Sequence, residues 1–242
     1  MSILVAAAGL LAVPEIVPDT ESYPSKSLRS AESAAALIEF VIDPDGDQIS
    51  CTTLAAFGSE GLANDICKLQ RKAQFEQAFS AAGRPTYGVV RAFIKYAIPF
   101  FEHRKAGQSE NIMSLVAPGI THEVIGSVLI RGDRLPSPNA LKNLEKTRIV
   151  ALPDVTFDVK SLPGSDDDFI DERVTVEIDD RSQVTACTPL SRTDSDQVVS
   201  DYAKAACENV IGMHMPDALT IDQRPVEHVR HLEVRFAIAR DK

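Results

Sequence analysis

The chain contains two versions of one pattern. Residues 38–51, IEFVIDPDGDQISC, and residues 174–187, VTVEIDDRSQVTAC, both run from Ile-Asp to a cysteine, Asp43 to Cys51 and Asp179 to Cys187. A second cysteine follows in each, Cys67 and Cys207, and then Arg-Pro at the same distance, Arg84-Pro85 and Arg224-Pro225. IKYAI at 94–98 and VRFAI at 234–238 end the two copies. Such self-similarity at a fixed offset implies a tandem duplication, so whatever one copy folds into the other must fold into as well.

The copies differ in length only between their paired cysteines. Four residues are about one turn of helix, so a longer helix in the second copy is expected to absorb the difference. Leu62, Ile66 and Leu69 recur at helical spacing after Ser59, a candidate N-cap; Val199, Tyr202, Ala206 and Val210 follow Ser195 similarly. The segments before the first cysteines alternate as half-buried strands do. Ile38, Phe40 and Ile42 share one face, as do Val174, Val176 and Ile178, with Glu39, Thr175 and Glu177 on the other. DPDG at 43–46 is a hairpin turn. DDRS at 179–182 lacks the glycine and is expected to turn through a different bulge. Ile49 and Val184 seed the returning strands. The final strands, 89–98 and 229–238, are rich in β-branched and aromatic residues. Each copy therefore reads strand, turn, strand, helix, loop, strand. The expected fold class is α+β, with two repeated two-layer modules, each a small antiparallel sheet packed against helices.

In the first copy, YPSKSLRSAESAAALIEFVIDPDG at 23–46 and QFEQAFSAAGRP at 74–85 resemble the C-terminal domain of the periplasmic energy transducer TonB. The matching features are a Tyr-Pro opening, a short helix, an alternating strand, an Asp-Gly turn and an aromatic-x-x-Ala stretch before Gly-x-Pro. The second copy lacks the Tyr-Pro opening, but MPDALTIDQRP at 215–225 aligns with the same later segment. The resemblance covers roughly residues 23–99 and 171–239. It divides the chain into a signal peptide at 1–20, a first TonB C-terminal-like domain at 21–102, a connecting segment at 103–160 and a second such domain at 161–242.

Each copy keeps a cysteine at the end of its second strand and another in its helix. Disulfides Cys51–Cys67 and Cys187–Cys207 would each close a loop of about 15–20 residues, worth about 3 kcal/mol in the chain-entropy model. Four buried free thiols are the alternative, because strand-to-helix packing brings the same positions together. Disulfides imply an oxidising compartment. Residues 3–13, an 11-residue apolar run, have the length of a signal-peptide core, with Ala12 as the best cleavage position. No Lys or Arg precedes the run, and bulky Leu10 stands where a small residue is preferred. The alternative is an apolar arm that packs on the core. The periplasm is the expected location.

GMHMPDAL at 212–219 brings together Met213, His214 and Met215, soft ligands suited to Cu(I). Counted from the second cysteines, Met215 falls where Phe75 falls and Ala218 where Ala78 does, so Met215 is expected to plug a loop into the core. His228 and His231, three apart on a strand, point to opposite faces. No metal site and no cofactor are expected. Nor do the cysteines form the close pairs of structural zinc, and no nucleophile stands in a catalytic pattern. GSDDDFIDE at 164–172 reads as a solvated acidic loop rather than a calcium loop. An enzyme is not expected. The net charge of -10 and a pI near 5.0 argue against nucleic acid as a partner. No apolar run is long enough to span a bilayer.

Between the copies, 123–132 reads as a strand, 137–146 as a helix with Ser137 as N-cap, and 149–159 as a strand leading into the second copy. Residues 105–110 fit no element. The TonB resemblance implies capture of an extended peptide of an outer-membrane transporter by sheet-edge pairing, that is, β-augmentation. The edges it implies are the last strands, Phe93, Ile94, Lys95, Tyr96, Ala97 and Ile98 in the first copy and Val234, Arg235, Phe236, Ala237 and Ile238 in the second. The alternative is a scaffold in which these edges pair with each other or with the intervening segment. The chain carries neither a membrane helix nor a proline-rich spacer, so transduction of energy by it alone is not expected.

Overall fold

The computed structural model describes residues 11–17, 19, 23–30, 32–97, 119–125, 129–130, 149–150, 153–165, 167–190 and 200–239. The first copy begins with β1 (Ile16–Val17) and α1 (Ser25–Arg29), followed by β2 (Ala34–Ile42), β3 (Gln48–Gly58) and α2 (Glu60–Leu69). Short strands β4 (Gln74–Phe75) and β5 (Ala78–Phe79) then lead into β6 (Pro85–Ala97). The connecting region supplies β7 (Gly119–Ile125), β8 (Leu129–Ile130), β9 (Ile149–Val150) and β10 (Val155–Val159). In the second copy lie β11 (Phe169–Ile178), β12 (Val184–Pro189), α3 (Asp201–Val210), β13 (Thr220–Ile221), β14 (Arg224–Pro225) and β15 (His228–Ile238). The class is α+β. The helix expected at 137–146 and the segment 105–110 lie outside the described residues.

Two hydrophobic cores form by the expected alternation. Ile38, Phe40 and Ile42 of β2, with Val90, Ala92, Ile94 and Tyr96 of β6, pack under Leu62, Ala63 and Ile66 of α2. Val174, Val176 and Ile178 of β11, with Leu232, Val234 and Phe236 of β15, pack under Ala206, Cys207 and Val210 of α3. Met215 is buried in the second core, and Phe75 packs against the first with its ring 5.0 Å from that of Phe40. Apolar side chains at these alternating positions each contribute roughly 1.5–3 kcal/mol when buried.

One continuous sheet joins the two copies, in the order β12-β11-β15-β6-β2-β3. β15 and β6 pair in parallel over three positions, His228 with Tyr87, Val229 with Gly88 and Arg230 with Val89. Paired residues share a face, and side chains alternate along each strand. Arg230 belongs to the face of β15 that carries Leu232 and Val234 under α3. Val89 belongs to the face of β6 opposite Val90 and Ala92 under α2. The two helices therefore cover opposite faces of the joined sheet. Side-chain bonds reinforce the seam: Ala81 N donates to Glu177 Oε2 (2.6 Å), and Thr86 Oγ1 donates to the Glu227 carbonyl (3.0 Å).

Local details depart from expectation in three places. Both α2 and α3 are ten residues long, so the extra residues of the second copy lie ahead of α3 rather than within it. The N-cap of α3 is Ser200, whose Oγ accepts from Ala203 N, and not Ser195, which lies outside the described residues. The two hairpin turns are alike. Asp43 Oδ1 accepts from Asp45 N and Asp47 N, Asp179 Oδ1 accepts from Arg181 N and Gln183 N, and Ser182 takes the left-handed conformation (φ 63°) that Gly46 takes in the first.

Residues 11–17 pack as an arm. Leu11 is buried with Ala78 and Val229, Ala12 exchanges backbone bonds with Phe79, and Ile16 enters the first core opposite Phe75. Asp19 exchanges two bonds with Gln70, which also donates to the buried Tyr96 hydroxyl (2.7 Å). These residues pack against the core of the first copy. Residues 153–159 likewise belong to the body of the second copy, through β10.

Candidate functional site

The last strands are not edges. β6 lies against β2 along one side, and on the other meets β15 at 87–89 and β7 at 91–97. Phe93, Ile94, Lys95 and Tyr96 each have a strand partner on both sides, in β2 and in β7, and Ala97 pairs with Gly119. Ile98 lies outside the described residues. β15 lies against β11 along one side and against β10 on the other, so Val234, Arg235, Phe236 and Ala237 also have two strand neighbours, and Ile238 pairs with Val159. The expectation of open edges is thus corrected. The physical reason is that a row of unpaired backbone N–H and C=O groups is a liability, and the connecting region supplies strands to cover it. Among the described strands, β3 and β12 end the main path of the sheet, and β7 and β10, each paired with a single strand of that path, are outer strands beside it.

β15 is anchored by charged pairs on its outward face. Arg235 donates from Nε and Nη2 to both oxygens of Asp171 (2.6 Å each), and its guanidinium lies 4.0 Å from the centre of the Phe169 ring. The bidentate bond to Asp171 raises the Arg235 pKa above its ordinary value. Arg173 Nε donates to Glu233 Oε1 (2.6 Å).

The cysteines form two disulfides, Cys51–Cys67 and Cys187–Cys207, with Cα separations of 5.8 and 5.3 Å. Each links the returning strand of a hairpin to the helix above it. Among the described residues, no three His, Cys, Asp or Glu side chains are grouped to hold a metal. His214 is exposed on its loop beside buried Met215, and its backbone bridges to Gln183. His228 and His231 occupy opposite faces of β15. His228 is buried beside the Val226 carbonyl (Nδ1, 2.9 Å), and His231 Nδ1 lies 3.1 Å from Thr175 Oγ1. Burial holds both at a pKa of about 4; Arg230 adds to the effect on His228, and Arg173 to that on His231.

A charged cluster at the seam has no counterpart among the expected sites. Arg91 of β6 donates from Nε to Glu39 Oε2 (2.7 Å) and has Nη1 3.6 Å from Asp154 Oδ1, while Asp154 Oδ2 accepts from Glu233 N (2.8 Å). Arg230 of β15 lies beside this group and is buried. The sequence did carry a signal: Arg230 occupies the place in the second copy that Val90 occupies in the first, a polar residue on a core face.

No family model, no curated protein and no solved structure matches the chain. Among the described residues, no helix is long and apolar enough to cross a membrane.

Proposed function

We propose that this is an exported protein of the cell envelope that binds other proteins by accepting a strand onto its sheet. The reading takes the two copies as duplicated TonB C-terminal-like modules, working near TonB-dependent transport as an adaptor or competitor. It is a binding protein and not an enzyme. The periplasmic location rests on the two disulfides, which persist in oxidising compartments.

The observation that carries the reading is β10. Residues 155–159 lie in parallel register along 234–238, the segment to which the resemblance assigns partner capture. Main-chain pairing of this kind is the mode by which peptide ligands add to a sheet. β10 is thus an occupant of the strand-accepting position, supplied by the connecting region, and a partner strand gains the position by exchange with it. A second reading, a closed scaffold without peptide binding, draws on the same pairing taken as permanent.

Phe157→Pro with Val159→Pro removes two main-chain donors that face β15, since the bond from Ala239 N to the Val159 carbonyl sets the odd-numbered amides of β10 toward that strand, and separates the readings. For a strand-accepting protein, the amides of Arg235 and Ala237, which face β10, lose hydrogen-exchange protection in this variant and regain it when a peptide spanning 153–160 is added. Continued protection in the variant, or no response to the peptide, favours the scaffold.

A further inference from the structure

The seam between the copies holds a half-open cavity of about 410 Å³, within the size range of small-molecule sites. One wall is the face of the first copy's sheet turned away from α2, with Leu37 and Arg91. Leu54, the extra residue of the β2–β3 bulge, adds to it. Opposite stand Met215 and Asp217 of the loop after α3, and Arg230 of β15.

Arg230 is the unusual member. It is only 6% exposed, and its Nε is shut off from solvent with no hydrogen-bond partner. Arg91 differs in having Glu39 and Asp154 against it. A guanidinium cannot escape burial by losing its proton in a protein, so an unpaired one in a cavity favours any oxyanion that reaches it. Burial, then Arg91, lower the Arg230 pKa from its ordinary value; Asp154, Glu39 and exposed Asp217 oppose them in part.

The other charges select the anion. Glu39, Asp154 and Asp217 outnumber the two arginines, so a doubly charged phosphate is repelled, whereas a carboxylate carries one charge and matches the guanidinium fork. Leu37 and Met215 are buried at the cavity wall and offer an apolar surface to the remainder of a ligand. We propose that this cavity binds a monocarboxylate with a compact apolar body, its carboxylate on Arg230 and its body against Leu37, Leu54 and Met215. Free branched acids and the C-terminal residue of a polypeptide share this chemistry.

Calorimetric titration of the full chain with 4-methylpentanoate, with 4-methylpentanamide and with acetyl-Gly-Ala-Leu as free acid and as amide tests the site. Both acids are expected to bind and both amides to bind at least about tenfold more weakly. Arg230→Gln is expected to reduce acid binding by a similar factor. Asp217→Asn, on the exposed rim, is expected to raise it severalfold, and serves where Arg230→Gln fails to fold. Tighter binding of the tripeptide acid assigns the site to a polypeptide C-terminus, and tighter binding of 4-methylpentanoate assigns it to a free acid. Equal binding of acid and amide, no binding of either acid, or acid binding unchanged by Asp217→Asn overturns the proposal.

Discussion

Arg230 pairs with Val89 across the seam, one residue out of step with the sequence repeat, which sets Arg230 in correspondence with Val90. A slip of one residue turns every side chain of a strand to the other face. Here it places α2 and α3 on opposite faces of one sheet. It also brings the core face of β15 beside the outer face of β6, and so creates the cavity that Arg230 lines. Had the strands paired in step, both helix layers would lie on the same side.

The seam depends on the close approach of the N-terminal arm at Gly88. A Cβ added there would collide with the ring of Pro14 and lie 3.0 Å from the Ala78 Cβ. Gly88→Ala is expected to cost about 1–3 kcal/mol, the usual range for overpacking. The arm should loosen first. Hydrogen exchange at the Ala12 and Phe79 amides, which bond to each other's carbonyls, is the measurement; unchanged protection there would show that the arm can shift without detaching.

The two disulfides are expected to stabilise almost equally. They close loops with sequence separations of 16 and 20 residues, so the chain-entropy model gives about 3 kcal/mol for each. They also sit in separate cores. Replacing Cys51 and Cys67 by Ala, Cys187 and Cys207 by Ala, and all four together should give additive losses in urea unfolding. Losses that fall short of additivity would mean that one core unfolds before the other.

Much of this architecture is legible in the sequence because it rests on local pattern. Period-two alternation named the buried faces of β2 and β11, the repeat set one cysteine of each pair on a strand and the other on the helix above it while leaving free thiols as the alternative to disulfides, and counting from Cys207 placed Met215 in the core. The seam was not legible. It is formed by main-chain bonds between residues 87–89 and 228–230, and such bonds leave no mark on residue type. The covering of the last strands stood only as the alternative to open edges, for the same reason: VTFDV at 155–159 alternates like any strand, and nothing in it says which neighbour it joins. Placing the extra residues of the second copy failed for another reason. Ser195 and Ser200 are equally good N-caps on composition, and only the bond from Ala203 N to Ser200 Oγ decides between them.

Ser182 holds a conformation that costs a residue with a Cβ. Its backbone bonds repeat those of the first turn, Ser182 N to the Asp179 carbonyl as Gly46 N to the Asp43 carbonyl. Ser182→Gly should therefore stabilise the protein, by about 0.5–1 kcal/mol after the greater freedom of glycine in the unfolded chain is set against the relieved strain. The reverse change, Gly46→Ser, should destabilise by a similar amount. Equilibrium urea unfolding of both variants tests the pair, and a loss of stability in Ser182→Gly would count against the equivalence of the two turns.

The two histidines of β15, buried His228 and half-buried His231, make stability fall on the acid side. In the unfolded chain each titrates near 6.5, while in the folded protein both are held at about 4. Below 6.5 the unfolded state therefore takes up protons that the folded state refuses, and the difference grows until the pH reaches about 4. The geometry at His228 explains the refusal. Its Nδ1 lies at the Val226 carbonyl and its Nε2 faces the Leu219 N–H (3.5 Å), so a proton added to Nε2 would meet another donor. Each histidine withholds up to about 3 kcal/mol across this window. Urea unfolding of the wild type should weaken steeply between these two pH values, and His228→Gln and His231→Gln should each remove about half of that slope. A slope unchanged in both variants would assign the acid sensitivity to carboxylates instead.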